Sequence, residues 1–563
     1  MARTVRLAAL LAVAALALGA CARIPTSGPV EQGNSGQVAE PNPAVVLAVG
    51  PQPDSPPEQI VEDYLTAGAA GVSNGLDFTV ARKYLYGDAA ATWNPLGGVL
   101  VVDGFTPSQP SDTQVTIEAS VVAKVDSDGV YSETARGAPE TVTFGMVQDT
   151  AGQWRIKDAP DGLILTSRQF LDQFRRVSLY FLTPDEQYLV PDPRWYPAVN
   201  LATSVVKGLL AGPSPWLRDA VRTEVPQGVV LSPDAVKVTE DGQADVVLSP
   251  AAPVQTANPD LLVAQIQETL VQQVAQVRTV VVQAGLDGPQ LQGTKQLSTI
   301  GQSPLSGGAE MIASGADGDR LMALGSQLTP VPGVAALTGL DARSPARSEN
   351  GAVRAFLRGP NELATVPTSG QAAQTLLRQP NLVAPSADRF GWVWTASGGT
   401  VYAVDGHDPA VALTPKWLSD RQVTAVRVSR DGTRIAVVST GQDGVSVDVA
   451  GVVRDDRGGP QQLSDTTQRV AAALTAADRV VWYDDDQIAV LARSAGSATV
   501  WEVPLGGPSK ALPDVAGGVS LAGGRTERSL LVATSDGRLL GYSGPTWTPV
   551  PGVSGVRDPS YPG

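Results

Sequence analysis

The chain has 563 residues, 43% of them hydrophobic, a formal net charge of −15 and one cysteine, Cys21. That length and apolar content support several cores, and a lone cysteine leaves no disulfide within the chain to staple any of them. An acidic chain without a basic run argues against nucleic-acid binding and against polybasic adhesion to lipid heads, because both depend on Lys and Arg.

Residues 1–20 read as a secretory signal. Arg3 and Arg6 precede an unbroken Leu, Ala and Val run from Leu7 to Leu18, and the small residues Gly19 and Ala20 follow. The run is too short to span a hydrocarbon core of roughly 30 Å. Leu18-Gly19-Ala20-Cys21 resembles the bacterial lipobox. The resemblance implies S-diacylglycerol and N-acyl modification of Cys21, which becomes the new N-terminus; the other reading is a plain signal with an incidental cysteine. Acylation by two or more chains holds a protein where one is marginal, at about 0.8 kcal/mol per buried methylene. No later stretch approaches a membrane span in apolar length. Residues 21–56, with "GPVEQGNSGQVAEPNP" and "GPQPDSPP", read as a flexible lipidated tether. Its reach as a coil is about 30–35 Å.

From Glu58 the pattern becomes periodic. Ile60, Val61, Tyr64 and Leu65 share one helical face, and Phe78, Ala81, Tyr84 and Leu85 predict a second helix. Alternating strands follow in "QVTIEASVVAKV" and "ETVTFGMVQDTAGQWRI", which makes residues 57–170 a small α+β domain similar to the nuclear-transport-factor-like (NTF2-like) fold. Asp126-Ser127-Asp128-Gly129 imitates the head of a calcium loop, but Tyr131 stands at the sixth position and Gly137 at the twelfth, so an Asp-Gly hairpin turn is expected.

Residues 177–290 predict a hairpin around a Pro-Asp turn and a helix stopped by Gly212-Pro213. A second hairpin turned at Asp241-Gly242, a helix opened by Pro259-Asp260 and a last strand complete the segment. This stretch resembles the sporulation-and-germination (GerMN) domain through Tyr180-Phe181, Leu189-Val190-Pro191, Arg194, Leu209 to Ser214, Pro226 with Gly228, and Gln265 with Thr269. The resemblance implies a binding or scaffolding module. Arg194, Trp195 and Tyr196 form a candidate partner surface there, because Arg, Trp and Tyr are common interface anchors; the other reading of the three is structural packing.

A repeat runs beyond residue 330, within a region of residues 295–563 whose first part, 295–330, offers a further blade or the strand that closes the ring. Its turn centres fall near Asn350, Asp388, Asp431, Asp478 and Thr526. The second strands align as "AVRAFLRG", "FGWVWTAS", "TRIAVVST", "VVWYDDD" and "SLLVATS". A period of about 40 to 50 residues with three or four strands per unit predicts a β-propeller, here of five to seven blades. "SRDGTRIAVV" is similar to the repeat of TolB-type propellers. Trp392, Trp394, Trp482 and Trp501 are expected in the packing between blades.

The order of lipobox, GerMN-like domain and propeller resembles the LpqB family of actinobacterial lipoproteins over essentially the whole mature chain. That resemblance implies a non-enzymatic protein, lipid-anchored at the outer face of the cell membrane. It also implies that the protein binds and modulates the extracytoplasmic part of a sensor histidine kinase of the MtrB–MtrA type. The alternative is a glycan-binding module or a propeller-based envelope hydrolase; on the propeller's central surface, converging Asp, Glu and Arg favour a hydrolase, an aromatic strip favours a glycan, and a flat mixed patch favours a protein partner.

The residues themselves offer little catalysis. The one histidine, His407, sits in the turn composition "VDGHDP", and no G-x-S-x-G elbow occurs. No cofactor is expected, and with Cys21 acylated a Cys/His metal site cannot be assembled. Asp484-Asp485-Asp486 reads as a solvated turn. "GPQLQGTK" has phosphate-loop glycine spacing, but Thr294 and Lys295 stand in the opposite order to that loop.

Overall fold

Pro57 supplies a fixed φ at the first helical position, and Ile60, Val61, Tyr64 and Leu65 are buried along one face of the helix Pro57–Ser73. The second predicted helix is shorter than its pattern. It covers Thr79–Arg82 alone, because Tyr84 and Tyr86 exchange backbone hydrogen bonds with Ile156 and draw the chain into an extended bridge. Phe78, Ala81, Tyr84 and Leu85 are all buried nonetheless, so the apolar positions were right and the conformation was not.

The computed structural model describes residues 48–293, 307–316, 318–494 and 497–563. The lipobox Leu18 to Cys21, the tether before residue 48, and Thr294 with Lys295 lie outside them. Residues 48–56, read as tether, lie against the first domain: Tyr84 Oη donates to the Val49 carbonyl at 2.7 Å, and Gln153 Oε1 accepts the Asp54 N–H at 2.7 Å.

The first domain carries a five-stranded sheet in the order Trp154–Asp158, Tyr131–Gln148, Gln114–Asp126, Gly98–Ser111, Leu163–Thr166. Only the last pairing is parallel. The Asp126–Gly129 segment is a turn in which Asp126 Oδ1 accepts the N–H groups of Asp128 and Val130. A capping box at Thr166 starts the helix Ser167–Gln173, which runs directly into the strand Phe174–Leu182 of the next domain. No linker separates the two.

The second domain pairs Phe174–Leu182 with Leu189–Pro197 and packs helices Leu201–Ala211 and Pro259–Val271 against strands Gln243–Ser249 and Thr279–Ala284, which are parallel. Gly212 (φ 94°) closes the first helix, and Gly242 (φ 84°) turns the second hairpin. One apolar cluster runs from Leu179, Phe181, Val205 and Leu209 through Trp216 and Leu217 to Val438, Val449, Trp482 and Val490 of the third domain. The second and third domains therefore share a core.

Six sheets follow. Sheet 1 is Val556–Ser560, Glu310–Gly315, Gly318–Leu324 and Leu328–Pro330; sheet 2 is Ala342–Arg347, Arg354–Arg358, Glu362–Thr365 and Thr375–Arg378. Sheet 3 is Ser386–Ala387, Val393–Ser397, Thr400–Val404 and Val411–Leu413. Sheet 4 is Gln422–Val428, Arg434–Gly441, Gly444–Arg454 and Pro460–Leu463, with Gln468–Val470 added to its third strand. Sheet 5 is Arg479–Asp484, Gln487–Ser494, Ser497–Pro504 and Lys510–Ala511, with Val515–Ala516 added; sheet 6 is Gly518–Ala522, Leu531–Thr534, Arg538–Tyr542 and Trp547–Ser554. Their first strands touch in a closed ring, completed where Val556–Ser560 pairs with Glu310–Gly315.

The repeat is marked by a turn that its side chains build. Asp431 Oδ1 accepts from Ser429 Oγ and the Thr433 N–H, both at 2.8 Å, and Gly432 takes φ 78°. Ser348 with Asn350, and Asp388 with Phe390 and Trp392, repeat this geometry. Sheet 5 departs from it: its first and second strands meet in a tight turn with Asp484 opposite Gln487. "VVWYDDD" is consequently a first strand rather than a second, and Asp478 lies between sheets rather than at a turn centre.

Candidate functional site

In each sheet the turn between first and second strands lies at one end of the ring, and the turn between second and third strands lies at the other. The first end is covered by the second domain. Arg176 donates to Asp486 Oδ2 at 2.8 Å and to the Leu505 carbonyl at 2.7 Å, and Ser178 Oγ reaches the same carboxylate at 3.2 Å. Arg389 forms a two-pronged pair with Asp185, both contacts 2.7 Å, while its guanidinium lies 4.0 Å from the centre of the Phe390 ring and 5.0 Å from that of Tyr188. Gly451 fits where a Cβ would meet the Ala220 Cβ and the Trp216 carbonyl, each at 2.8 Å.

This junction corrects the expected partner surface. Arg194 and Trp195 are buried. Arg194 pairs with Asp192 at 2.8 Å and donates to the Asp128 carbonyl at 2.8 Å. The Asp192 carboxylate also accepts the Ser214 N–H and hydroxyl, both at 2.7 Å. Trp195 Nε1–H donates to the Gly506 carbonyl at 2.7 Å, and its ring packs 4.6 Å from Phe170 and 6.0 Å from Tyr131. All three border a cleft of about 340 Å³ between the first two domains, and of the three only Tyr196 is half-buried rather than buried. The three residues join domains within the chain.

The Asp484–Asp486 turn is likewise not solvated; each residue is half-buried. Asp486 binds Arg176, and Asp485 lies 4.0 Å from Arg525. Burial, opposed by Arg525, pushes the Asp485 carboxyl up to about 6. The carboxylates reach different partners and do not converge. Trp394 and Trp482 are buried inside the ring, their Nε1–H groups donating to Asp388 at 2.8 Å and to the Arg427 carbonyl at 3.0 Å. Trp392 and Trp501 are partly buried. His407 is exposed in a turn whose Asp405 Oδ1 accepts the His407 and Asp408 N–H groups. Among the described residues no group of His, Cys, Asp and Glu is arranged to hold a metal, and no helix is long and apolar enough to cross a membrane.

The other end of the ring is open and carries interspersed opposite charges from five of the six sheets and the connections between them. Arg557 pairs with Asp319 at 2.5 Å, Arg343 with Asp341 at 3.0 Å, Arg493 with Asp478 at 2.7 Å and Arg538 with Asp536 at 2.8 Å. Arg358 with Glu362 and Arg421 with Asp443 complete the circuit. Sequence reasoning missed this circuit because its members are scattered, and it missed Arg176 and Arg389 because their partners lie far along the chain.

Three family models match the chain: "Lipoprotein LpqB, N-terminal domain" over residues 50–171, "Sporulation and spore germination" over 178–291, and "Lipoprotein LpqB beta-propeller domain" over 319–562. The chain belongs to the LpqB lipoprotein family. It is 27% identical to Lipoprotein LpqB of Streptomyces coelicolor over 97% of this chain and 96% of that one. It is 28% identical to that of Mycobacterium bovis BCG over 98% of each, and 29% identical to that of Mycolicibacterium smegmatis over 76% and 71%. The LpqB propeller model covers the ring except for the strand Glu310–Gly315 and the residue or two at either end, and the LpqB N-terminal model spans the five-stranded sheet with its helices.

Proposed function

We propose that this LpqB-family protein is a non-enzymatic adapter, acylated at Cys21 on the outer face of the cell membrane, that binds and modulates the extracytoplasmic part of a sensor histidine kinase of the MtrB–MtrA type. In this reading residues 57–170 are an NTF2-like spacer, residues 177–290 a GerMN-like brace, and the six sheets of residues 295–563 the blades of the propeller that meets the kinase. The observation that carries the reading is the circuit of mixed charge on the open end of the ring. Complementary charge patterns steer encounter and fix register between protein partners, and arginine is enriched at such surfaces. The covered end supports the same orientation, since its polar groups already bind the second domain.

The test is a titration of lipid-free residues 22–563 against the purified kinase domain. The charge reversals Arg538→Glu and Arg493→Glu on the open end should weaken saturable binding at least tenfold and flatten its salt response, with the thermal midpoint nearly unchanged. No binding at about 100 µM, well above the micromolar range of specific pairs, sinks the direct-partner reading.

A further inference from the structure

The cleft between the first two domains, about 340 Å³, has the size and the domain-boundary position of a small-ligand site. The helix Leu201–Ala211 lines it with Ser204, Lys207, Gly208 and Ala211, which share one helical face. The first domain contributes apolar surface through Leu76 and Leu96. Leu96 is exposed, and Leu76 is held at φ 65°, a left-handed conformation that is costly for a bulky side chain. The two walls are fixed to each other before anything binds. Arg194 donates to the Asp128 carbonyl and the Trp195 N–H to the Gly129 carbonyl, both at 2.8 Å. A Cβ on Gly129 would meet the Trp195 carbonyl oxygen at 2.6 Å, and one on Gly208 would overlap the Tyr196 hydroxyl. A site assembled in advance needs little ordering when it is filled.

The lining also carries one free charge of each sign, one from each domain. The Asp128 carboxylate and the Arg218 guanidinium are exposed, and neither has a hydrogen bond or ion pair among the described residues. Lys207, by contrast, is paired with Asp234 at 2.7 Å, and the Asp126 carboxylate is spent on its own turn. A neutral apolar ligand would leave both free charges unused, and a simple anion or cation would meet one of them as a like charge. A ligand with a positive end, a negative end and an apolar body answers all three features. Between the ends, the hydroxyls of Ser127, Ser204 and Tyr196 can each donate and accept, as peptide groups require; Tyr196 Oη reaches the Asp128 carbonyl only at 3.5 Å. We infer that this cleft binds a short peptide with free ends. Its ammonium group lies on Asp128, its carboxylate on Arg218, and an apolar side chain rests against Leu76 and Leu96. The site uses none of the residues of the charge circuit, so it stands or falls separately from the kinase reading.

The experiment is isothermal titration of the lipid-free chain with alanyl-leucyl-alanine in three forms: free, N-acetylated and C-amidated. The free tripeptide should bind saturably, and each blocked form at least tenfold more weakly, the loss expected for one charged hydrogen-bonding group. Asp128→Asn should weaken the free form by the same factor and leave the affinity of the acetylated form unchanged. Arg218→Gln should weaken the free form likewise and leave that of the amidated form unchanged. Both side chains are unpartnered, so the thermal midpoint of each variant should match the parent. Absence of saturable binding of the free tripeptide up to about 10 mM, a weak-ligand limit, overturns the inference. A blocked form that binds as tightly as the free one, or undiminished affinity for the free form in either variant, does so as well.

Discussion

Replacing Trp195 tests whether the three domains behave as one body. Its indole comes from the second domain, packs on Phe170 and Tyr131 of the first, and donates to the Gly506 carbonyl of the third. Trp195→Phe keeps an aromatic ring but removes the N–H. Loss of a buried hydrogen bond costs about 1 kcal/mol net and more where the acceptor is left dry, and the smaller ring leaves part of the site empty, so about 2 kcal/mol is expected. Trp195→Ala should cost about 4 kcal/mol. Urea unfolding, followed in parallel by tryptophan fluorescence and far-ultraviolet circular dichroism, should show one coincident transition in the parent. For an m-value of about 3 kcal/mol/M or more, the phenylalanine variant shifts the midpoint down by roughly 0.5 M. A midpoint within error of the parent, or two separated parent transitions, refutes the idea that this junction couples the domains.

Two predictions concern pH. Burial alone would raise the Asp431 carboxyl, but Arg434 and Thr433 outweigh it and hold the group down at about 2. The folded value is below the unfolded one, so stability of about 2 kcal/mol is present above pH 4 and lost as pH falls through the folded value. Asp431→Asn should flatten the acid limb of a stability-versus-pH curve, and an unchanged limb refutes the assignment. Asp485 has the opposite sign: burial, against the pull of Arg525, raises it to about 6. The folded protein binds the extra proton, so stability falls as pH rises from about 4 to 6 and stays lower above that. Asp485→Asn should therefore raise the urea midpoint at pH 7.5 and leave it nearly unchanged at pH 4; a loss at pH 7.5 would mean that the Arg525 contact outweighs the burial cost.

The sequence was most readable where side chains build their own backbone geometry. Asp431 with Gly432, and Asp388 with Gly391, announce turns because the carboxylate and the positive φ are local necessities. The repeat became misaligned only at Asp484–Asp486, where a tighter turn needs no glycine and the acidic run looked hydrophilic. What periodicity cannot reveal is the partner of a charge. Arg176 and Asp486 stand 310 positions apart, and nothing near either one announces the other. The same limit made Arg194 and Trp195 look like an outward surface, since composition that suits an interface between proteins also suits one between domains of a single chain.

The pairing of Val556–Ser560 with Glu310–Gly315 has a bearing on biogenesis. The strand that seals the ring is synthesised some 250 residues after the edge it covers. Until that strand arrives, sheet 1 presents unpaired backbone. The shared core beneath the second domain must also wait for Trp482 and Val490. A nascent chain cut short before Val556 consequently carries an open seam, the kind of exposed edge that invites pairing with other chains.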